Sequence, residues 1–358
     1  MRVVVAPDSF KGSISAAGAA AAIASGWRRV RPLDEVRELP LADGGEGTLA
    51  VLAAAAPGAR WHHADVSGPG DRQVTASWLE MPGNVAVVEL ASAAGLPQLP
   101  ELRPLTAHTY GVGELIASAL DAGVAQVMIA LGGSASTDGG TGALAALGAR
   151  FLDDGGAELP RGGGALGRLV SADLSGLRQP PGGGARCLTD VRAPLLGPDG
   201  AAAVFGPQKG ASPADVAVLE SGLARLAELL GGDPGQPGAG AAGGCGYGLA
   251  AGWGARLVPG AAELALIAGL PAAVASADLV ITGEGQYDAT SETGKVVGAV
   301  RAIARGVPVA VVAGRVAAAP PPGVRTVELA TLAGGSQAAI AEAARWLAEA
   351  SALLAVSA

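Results

Sequence analysis

One pattern narrows the possible folds of this chain more than any other. A short β-branched or apolar run ends in a loop of Gly, Asp and Ser, and a helix-like stretch follows. Residues 2–6 lead into Pro7-Asp-Ser-Phe-Lys-Gly-Ser13 and an Ala-rich helix over 14–30. Residues 36–41 lead into Ala42-Asp-Gly-Gly-Glu-Gly-Thr48 and a helix to about 56. Residues 126–131 lead into Gly132-Gly-Ser-Ala-Ser-Thr-Asp-Gly-Gly140 and a helix to about 148. Residues 186–188 precede Thr189-Asp190-Val191, and 278–282 precede Gly283-Glu-Gly-Gln-Tyr-Asp288, with a helix from about 294. Residues 307–313 end at Gly314-Arg315.

Strands alternating with helices predict a parallel sheet covered on both faces, an α/β/α domain of flavodoxin or Rossmann type. Near-continuous apolar runs such as Val3-Val-Val5 fit strands buried on both sides. If the 2–6, 126–131 and later strands share one sheet, their carboxyl-end loops line one crevice. Residues 61–66, 73–80 and 84–90 are closely spaced, with turn signals at Gly68-Pro-Gly-Asp71 and Met81-Pro-Gly83. They predict an antiparallel meander and so a second, smaller mixed α/β domain. The expected division is 1–58, 100–148 and 265–358 for the parallel domain, with 59–99 and 149–264 for the second. The Gly/Pro-rich 153–185 reads as a long ordered loop. Residues 231–248 read either as a flexible linker or as a backbone nest opening a helix.

Composition excludes several functions. Half the residues are hydrophobic but only 3% are aromatic, so Ala, Val, Leu and Ile must build the core. A net charge of −8 argues against a nucleic-acid or anionic-membrane surface. Two cysteines outside any C-x-x-C pair and three histidines argue against a disulfide framework or a His/Cys metal site. The apolar run after Met1 is too short for a signal peptide, and no stretch reads as a membrane span, so a cytoplasmic protein is expected. A Walker-type G-x-x-x-x-G-K-[ST], a Rossmann G-x-G-x-x-G after the first strand and a G-x-S-x-G elbow are all missing. P-loop enzymes, ordinary dinucleotide dehydrogenases and Ser-His hydrolases are thereby disfavoured.

The remaining chemistry is glycine and hydroxyl with carboxylate and lysine. The chain has only three lysines, Lys11, Lys209 and Lys295, each in a Gly-, Ser- or Asp-rich loop. A compact ammonium beside glycines suits a phosphate oxygen or a small carboxylate. Gly132, Gly133, Ser134 and Ser136 stand between a strand and a helix, where backbone can approach an anion. Thr137 or Asp138 could equally cap that helix. Gly283 and Gly285 form a second such loop. Asp8, Asp43, Glu46, Asp190 and Asp288 all follow strand ends, as carboxylates for magnesium or for proton acceptance would.

Taken together and in this order, Ala6-Pro-Asp-Ser-Phe-Lys-Gly-Ser13, Leu41-Ala-Asp-Gly-Gly-Glu-Gly-Thr48, the Gly132–Gly140 loop, Thr189-Asp190-Val191, Phe205-Gly-Pro-Gln-Lys-Gly-Ala211, Pro237-Gly-Ala-Gly-Ala-Ala-Gly-Gly244, Thr282-Gly-Glu-Gly285, Asp288 and Gly294-Lys295 resemble the bacterial glycerate kinase family. The resemblance spans nearly the whole chain. It implies a two-domain α/β kinase that uses ATP with Mg²⁺, takes D-glycerate and forms 2-phosphoglycerate. On that basis Asp190 is expected as general base, and Lys11 and Lys295 as the charges that neutralise the substrate carboxylate or the transferring phosphoryl group. Asp8, Ser9, Asp43, Gly44, Gly45, Glu46 and Asp288 are expected at the substrate, and Gly132, Gly133, Ser134, Ser136, Gly283 and Gly285 at the nucleotide phosphates. Asp190 and Asp288 are expected at the metal, although the sequence does not rank the carboxylates among these roles. Lys209 is expected to hold the adjoining loop. No nucleic acid or membrane is expected as partner, and a homodimer is open. The chain departs from the family pattern at Tyr110 and Gln286, where Arg is usual, at Ser136-Thr137, where Thr-Asn is usual, and at Thr290, where Gln is usual. These departures keep open a different small hydroxy acid as acceptor, or a sensor of a sugar acid or nucleotide.

Overall fold

The computed structural model describes all 358 residues. Its strands are β1 (Arg2–Val5), β2 (Glu35–Glu38), β3 (Arg60–Ser67), β4 (Gln73–Met81), β5 (Val85–Glu89), β6 (Gln126–Ala130), β7 (Arg150–Leu152), β8 (Ser171–Asp173), β9 (Ala185–Leu188), β10 (Arg256–Val258), β11 (Leu279–Tyr287), β12 (Val309–Val316) and β13 (Arg325–Glu328). Residues divide into a first unit, 1–43, 50–55 and 259–358, and a second, 44–49 and 56–258.

The first unit is built on a five-stranded sheet in the order β13-β12-β11-β1-β2. Every pairing in it is parallel. Period-two alternation places Val3 and Val5 in one core layer with Ile23, Trp27 and Leu347. Val4 and Ala6 point to the other face, against Leu270, Val296 and Val300. The helix Ala16–Val30 starts where the Ser15 hydroxyl accepts from the Gly18 N–H at 3.2 Å. It lies close against the helix Ala343–Val356: a Cβ on Gly26 would stand 2.0 Å from the Ala348 carbonyl oxygen. Trp27 fills the space beside this contact and donates from Nε1 to Asp34 at 3.0 Å.

The second unit carries a six-stranded mixed sheet in the order β10-β9-β6-β5-β4-β3. β3, β4 and β5 form the expected antiparallel meander, and β5, β6, β9 and β10 run parallel. The fold class is thus mixed α/β, with a parallel sheet and a second, mixed sheet. Two expectations need correction. The 126–130 strand does not join the first sheet. Its partners are β5 and β9, which makes the second unit the larger one and brings residues 100–148 into it. A strand buried on both faces looks the same in sequence whichever sheet receives it. The strand-end loops therefore divide between two sheets.

Residues 231–248 are not a slack linker. Ala239, Ala241 and Cys245 are buried, and the Gly243 carbonyl accepts from the Gly139 N–H at 3.0 Å. The segment opens the helix Cys245–Trp253 through left-handed Gly243 and Gly244. Residues 153–185 hold only β8 and a short 3-10 turn at Gly163–Arg168. No helix is long and apolar enough to cross a membrane.

Candidate active site

In the first unit, the chain runs from β1 to β2 on one side of the sheet, and from β11 through β12 to β13 on the other. The order reverses between β1 and β11, the place where open α/β sheets leave a crevice at the strand carboxyl ends. A pocket of about 470 Å³ lies there. The loop after β1 supplies Asp8, Ser9 and Lys11, and the loop after β2 supplies Asp43. β11 and its exit supply Glu284, Asp288 and Lys295. Seven residues expected from sequence, Asp8, Ser9, Lys11, Asp43, Gly285, Asp288 and Lys295, thus line one cavity.

The charges are arranged unequally. Lys11 Nζ is 3.8 Å from Asp43, and its side chain is 78% exposed, so it is free to swing. Lys295 is the N-cap residue of the helix Val296–Ile303. Its Nζ lies 4.0 Å from Glu284 Oε2 and 3.9 Å from Asp288 Oδ1. Ion pairs this long hold the ammonium in place and leave its N–H bonds available to an incoming anion. Asp288 is fixed by Thr290, whose backbone N–H and hydroxyl donate to Oδ1 at 2.8 and 2.6 Å. These bonds hold the Asp288 carboxyl below the usual range. Gln286 donates weakly to the same carboxylate, at 3.4 Å.

Asp8 is only 8% exposed. Burial, and then the charge of Asp43, hold its pKa up to about 7, against the pull of the Ser9 N–H and Lys11. The linkage has a definite sign. A raised folded-state pKa means that stability is fully present below about 4 and is lost as pH rises through about 7. Asp8→Asn should therefore match the wild type near pH 4 and exceed it at pH 8 by about 1–3 kcal/mol. Thermal melting of both proteins across this range checks it, and a melting difference that does not change with pH would contradict it.

Glu284 was missed as a functional residue. It is 6% exposed, its Oε1 has no hydrogen-bond partner, and it faces the pocket. Burial raises its pKa, with Lys295 among the groups opposing the rise. The sequence hid it because Gly283-Glu-Gly285 reads as a loop. These residues are instead strand, in register with Val312 and Ala313 of β12. A Cβ on Gly283 would stand 2.2 Å from the Val312 carbonyl oxygen, so glycine here permits strand packing rather than a turn. Gly285 does line the pocket. Arg315, on the neighbouring strand in register with Gln286, also lines it and was not singled out.

In the second unit the remaining residues gather at the ends of β6, β9 and β5. The Gly132 N–H donates to the Gly44 carbonyl at 3.0 Å. A Cβ on Gly132 would stand 2.3 Å from Gly45 Cα, and one on Gly44 3.1 Å from the Leu188 carbonyl oxygen. These glycines let three backbones meet, and Asp190 follows Leu188 by two residues, half-buried. Glu46 is exposed beside them in sequence. Buried Glu89, at the end of β5, accepts from the Gly47 and Leu49 N–H groups at 3.2 Å each and anchors this turn. It had no signal in sequence beyond its position at a strand end.

The Gly132–Gly140 loop is open at one end and locked at the other. Gly133 is exposed, but Ser136 is fully buried and Ser134 nearly so. The two hydroxyls lie 3.1 Å apart and bond to each other. The expectation that both serines face a phosphate is corrected for Ser136, whose hydroxyl is spent inside the loop. Asp138 fixes the far end, accepting from the Thr109 N–H and hydroxyl and from the Gly140 and Gly142 N–H groups. Lys209 is buried and donates to the Ser136 carbonyl, the loop-holding part expected of it. Burial lowers its pKa to about 8, with Asp138 opposing. Tyr110 lies under the Arg161 guanidinium, 3.5 Å from the ring centroid.

A family model described as the glycerate kinase family matches residues 3–357. The chain belongs to the glycerate kinase family. It is 42% identical over 305 residues to the glycerate 2-kinase of Escherichia coli strain K12, an alignment covering 83% of this chain and 80% of that one. It is 44% identical over 304 residues to the glycerate kinase of Bacillus subtilis strain 168, covering 82% and 79%. A crystal structure from Salmonella typhimurium LT2, assigned as glycerate kinase 2, matches with a TM-score of 0.84 at 40% identity, covering 100% of this chain and 98% of that one. This glycerate kinase family member is accordingly a phosphotransferase acting on a small molecule, and the two sets of strand-end residues are its candidate catalytic parts.

Proposed function

We propose that the enzyme transfers the γ-phosphoryl group of ATP to the C2 hydroxyl of D-glycerate, giving 2-phosphoglycerate and ADP. The observation that carries this reading is the first-unit pocket, in which Lys11 and Lys295 stand among four carboxylates at a sheet switch point. In the reaction the substrate hydroxyl oxygen forms a bond to the γ-phosphorus as the bond to the β–γ bridging oxygen breaks. Asp190 accepts the hydroxyl proton. Lys11 and Lys295 neutralise charge on the substrate carboxylate and the transferring group. Gly133, exposed at the open end of its loop, offers backbone to an anion without a side chain in the way.

The residues fit Mg²⁺ as a companion of the nucleotide. No group of three or more His, Cys, Asp or Glu side chains forms a ready metal cage, but Mg²⁺ takes one or two carboxylates together with phosphate oxygens. Asp8 and Glu284 are carboxyls whose pKa values are raised first by burial and further by the charge of nearby Asp43, and Glu284 Oε1 lacks a hydrogen-bond partner. Asp8 and Glu284 are thus better placed to hold the ion than Asp288, one of the expected pair, which is already bonded to Thr290. When bound, the ion would neutralise charge on the transferring phosphates.

Coupled ADP release over a panel of acceptors tests the reading. D-glycerate should give the highest kcat/KM, ahead of L-glycerate and of other short hydroxy acids. A better acceptor elsewhere in the panel would replace D-glycerate and direct attention to Tyr110 and Gln286.

A further inference from the structure

We propose that β3 is an association edge, on which a second copy of this chain pairs antiparallel about a two-fold axis through Ala64, so that the two six-stranded sheets become one.

β3 closes one side of its sheet and runs eight residues, whereas the other outer strands of the two large sheets, β10, β2 and β13, run three or four. Its register with β4 is unbroken from Arg60 to Ser67, with no bulge and no proline to blunt the edge. The hairpin decides which backbone groups face outward. The Gly68 N–H donates to the Arg72 carbonyl at 2.7 Å. Bonded positions alternate along an antiparallel pair, so Val66, Ala64 and His62 bond to β4. Trp61, His63 and Asp65 therefore turn their N–H and carbonyl groups away from the sheet, and all three residues are exposed. At Ser67 the edge is closed. Its N–H donates to Glu114 at 2.6 Å, and a Cβ on Gly111 would stand 2.0 Å from its carbonyl oxygen.

The open stretch is complementary to itself. A two-fold axis perpendicular to the sheet keeps each face continuous, so only odd positions oppose odd and even oppose even. An axis through Ala64 sets His63 opposite Asp65 of the second copy, and does so twice. The Nδ1 of His63 lies 2.8 Å from the Ser77 hydroxyl oxygen, which leaves Nε2 for that carboxylate. Asp65 accepts from the Thr75 hydroxyl at Oδ1, 2.7 Å away, which leaves Oδ2 for the imidazole. Ser77, His63, Asp65 and Thr75 then form one polar row across the interface. The backbones of His63 and Asp65 exchange about four hydrogen bonds. An axis through His63 would oppose imidazole to imidazole, and one through Asp65 carboxylate to carboxylate, which is destabilising. Each copy carries a formal charge of −8 and so repels another. Along this edge the repulsion is relieved, because Glu80 is paired with Arg60 and Asp65 meets an imidazole. Trp61 adds an apolar end, 45% exposed and parallel to the His63 ring.

Sedimentation velocity of the full-length protein at micromolar concentration should give a dimer. His63→Glu faces Asp65 with a like charge, and Asp65→Lys removes the acceptor for His63. Each should raise the dissociation constant at least about tenfold. The two substitutions together should restore the dimer, because opposite charges face each other again. Ala64→Cys gives a readout independent of charge. Opposed α-carbons in a non-hydrogen-bonded pair stand about 4.5 Å apart, within reach of a disulfide. Both native cysteines are buried, so mild oxidation should link two chains of Ala64→Cys and none of the wild type. A monomeric wild type overturns the proposal. A dimer that neither single variant weakens also overturns it and places the interface elsewhere. A dimer that the double variant does not restore, or that Ala64→Cys does not cross-link, overturns the axis through Ala64.

Discussion

Asp190→Asn should lose about 10²–10⁴-fold in kcat while binding ADP and D-glycerate within about threefold of wild type. The argument starts from position. Asp190 stands two residues beyond β9, half-buried, at the turn where Gly44, Gly45 and Gly132 bring three backbones together. An amide keeps the size and the acceptor oxygen of the carboxylate but cannot take a proton at neutral pH. Binding should survive and proton acceptance should not. Single-turnover kinetics separates the two, since the loss should appear in the chemical step. Turnover within tenfold of wild type would remove Asp190 from the base role and shift attention to Asp8, a buried carboxyl whose pKa is raised to about 7.

Lys295→Met should lower kcat/KM by about 10²–10³-fold, the second largest effect. Lys295 is held by Glu284 and Asp288 at the start of a helix, whereas Lys11 projects into solvent with one distant partner. A preorganised cation needs no rearrangement as charge develops on the transferring group. Lys295→Arg should recover little, because a flat fork does not replace a point charge between two carboxylates. The Met variant also leaves Glu284 buried without its cation, so its melting temperature should fall most at high pH, where Glu284 is ionised. A variant with a lowered melting temperature but full kcat/KM would make Lys295 a structural residue only.

Much of the first-unit site was readable because its signals are local. A short apolar run, a carboxylate and a lysine in a Gly-rich loop recur at Asp8–Lys11 and Asp288–Lys295, and the structure brings both to one pocket. What the sequence could not convey depended on long-range pairing. The 126–130 strand could join either sheet, since burial on both faces erases the alternation that would mark it. Glu284 was hidden by its flanking glycines, which signal a loop unless one knows that the β12 backbone passes within contact of Gly283. Ser134 and Ser136 looked like phosphate donors, and only the folded loop shows their hydroxyls bonded to each other. Lys209 shared its Gly-rich setting with the other two lysines, yet it is buried on the Ser136 carbonyl.

The measurement that tests the central claim most directly is phosphorus NMR of a reaction containing the wild-type enzyme, ATP, Mg²⁺ and D-glycerate. The account predicts that the ATP signals give way to ADP and to one phosphate monoester, coupled to a single methine proton as in 2-phosphoglycerate. A monoester coupled to two methylene protons would place the phosphoryl group on C3 and contradict the proposed product. Unchanged ATP, or release of orthophosphate alone, would contradict phosphorylation of D-glycerate altogether.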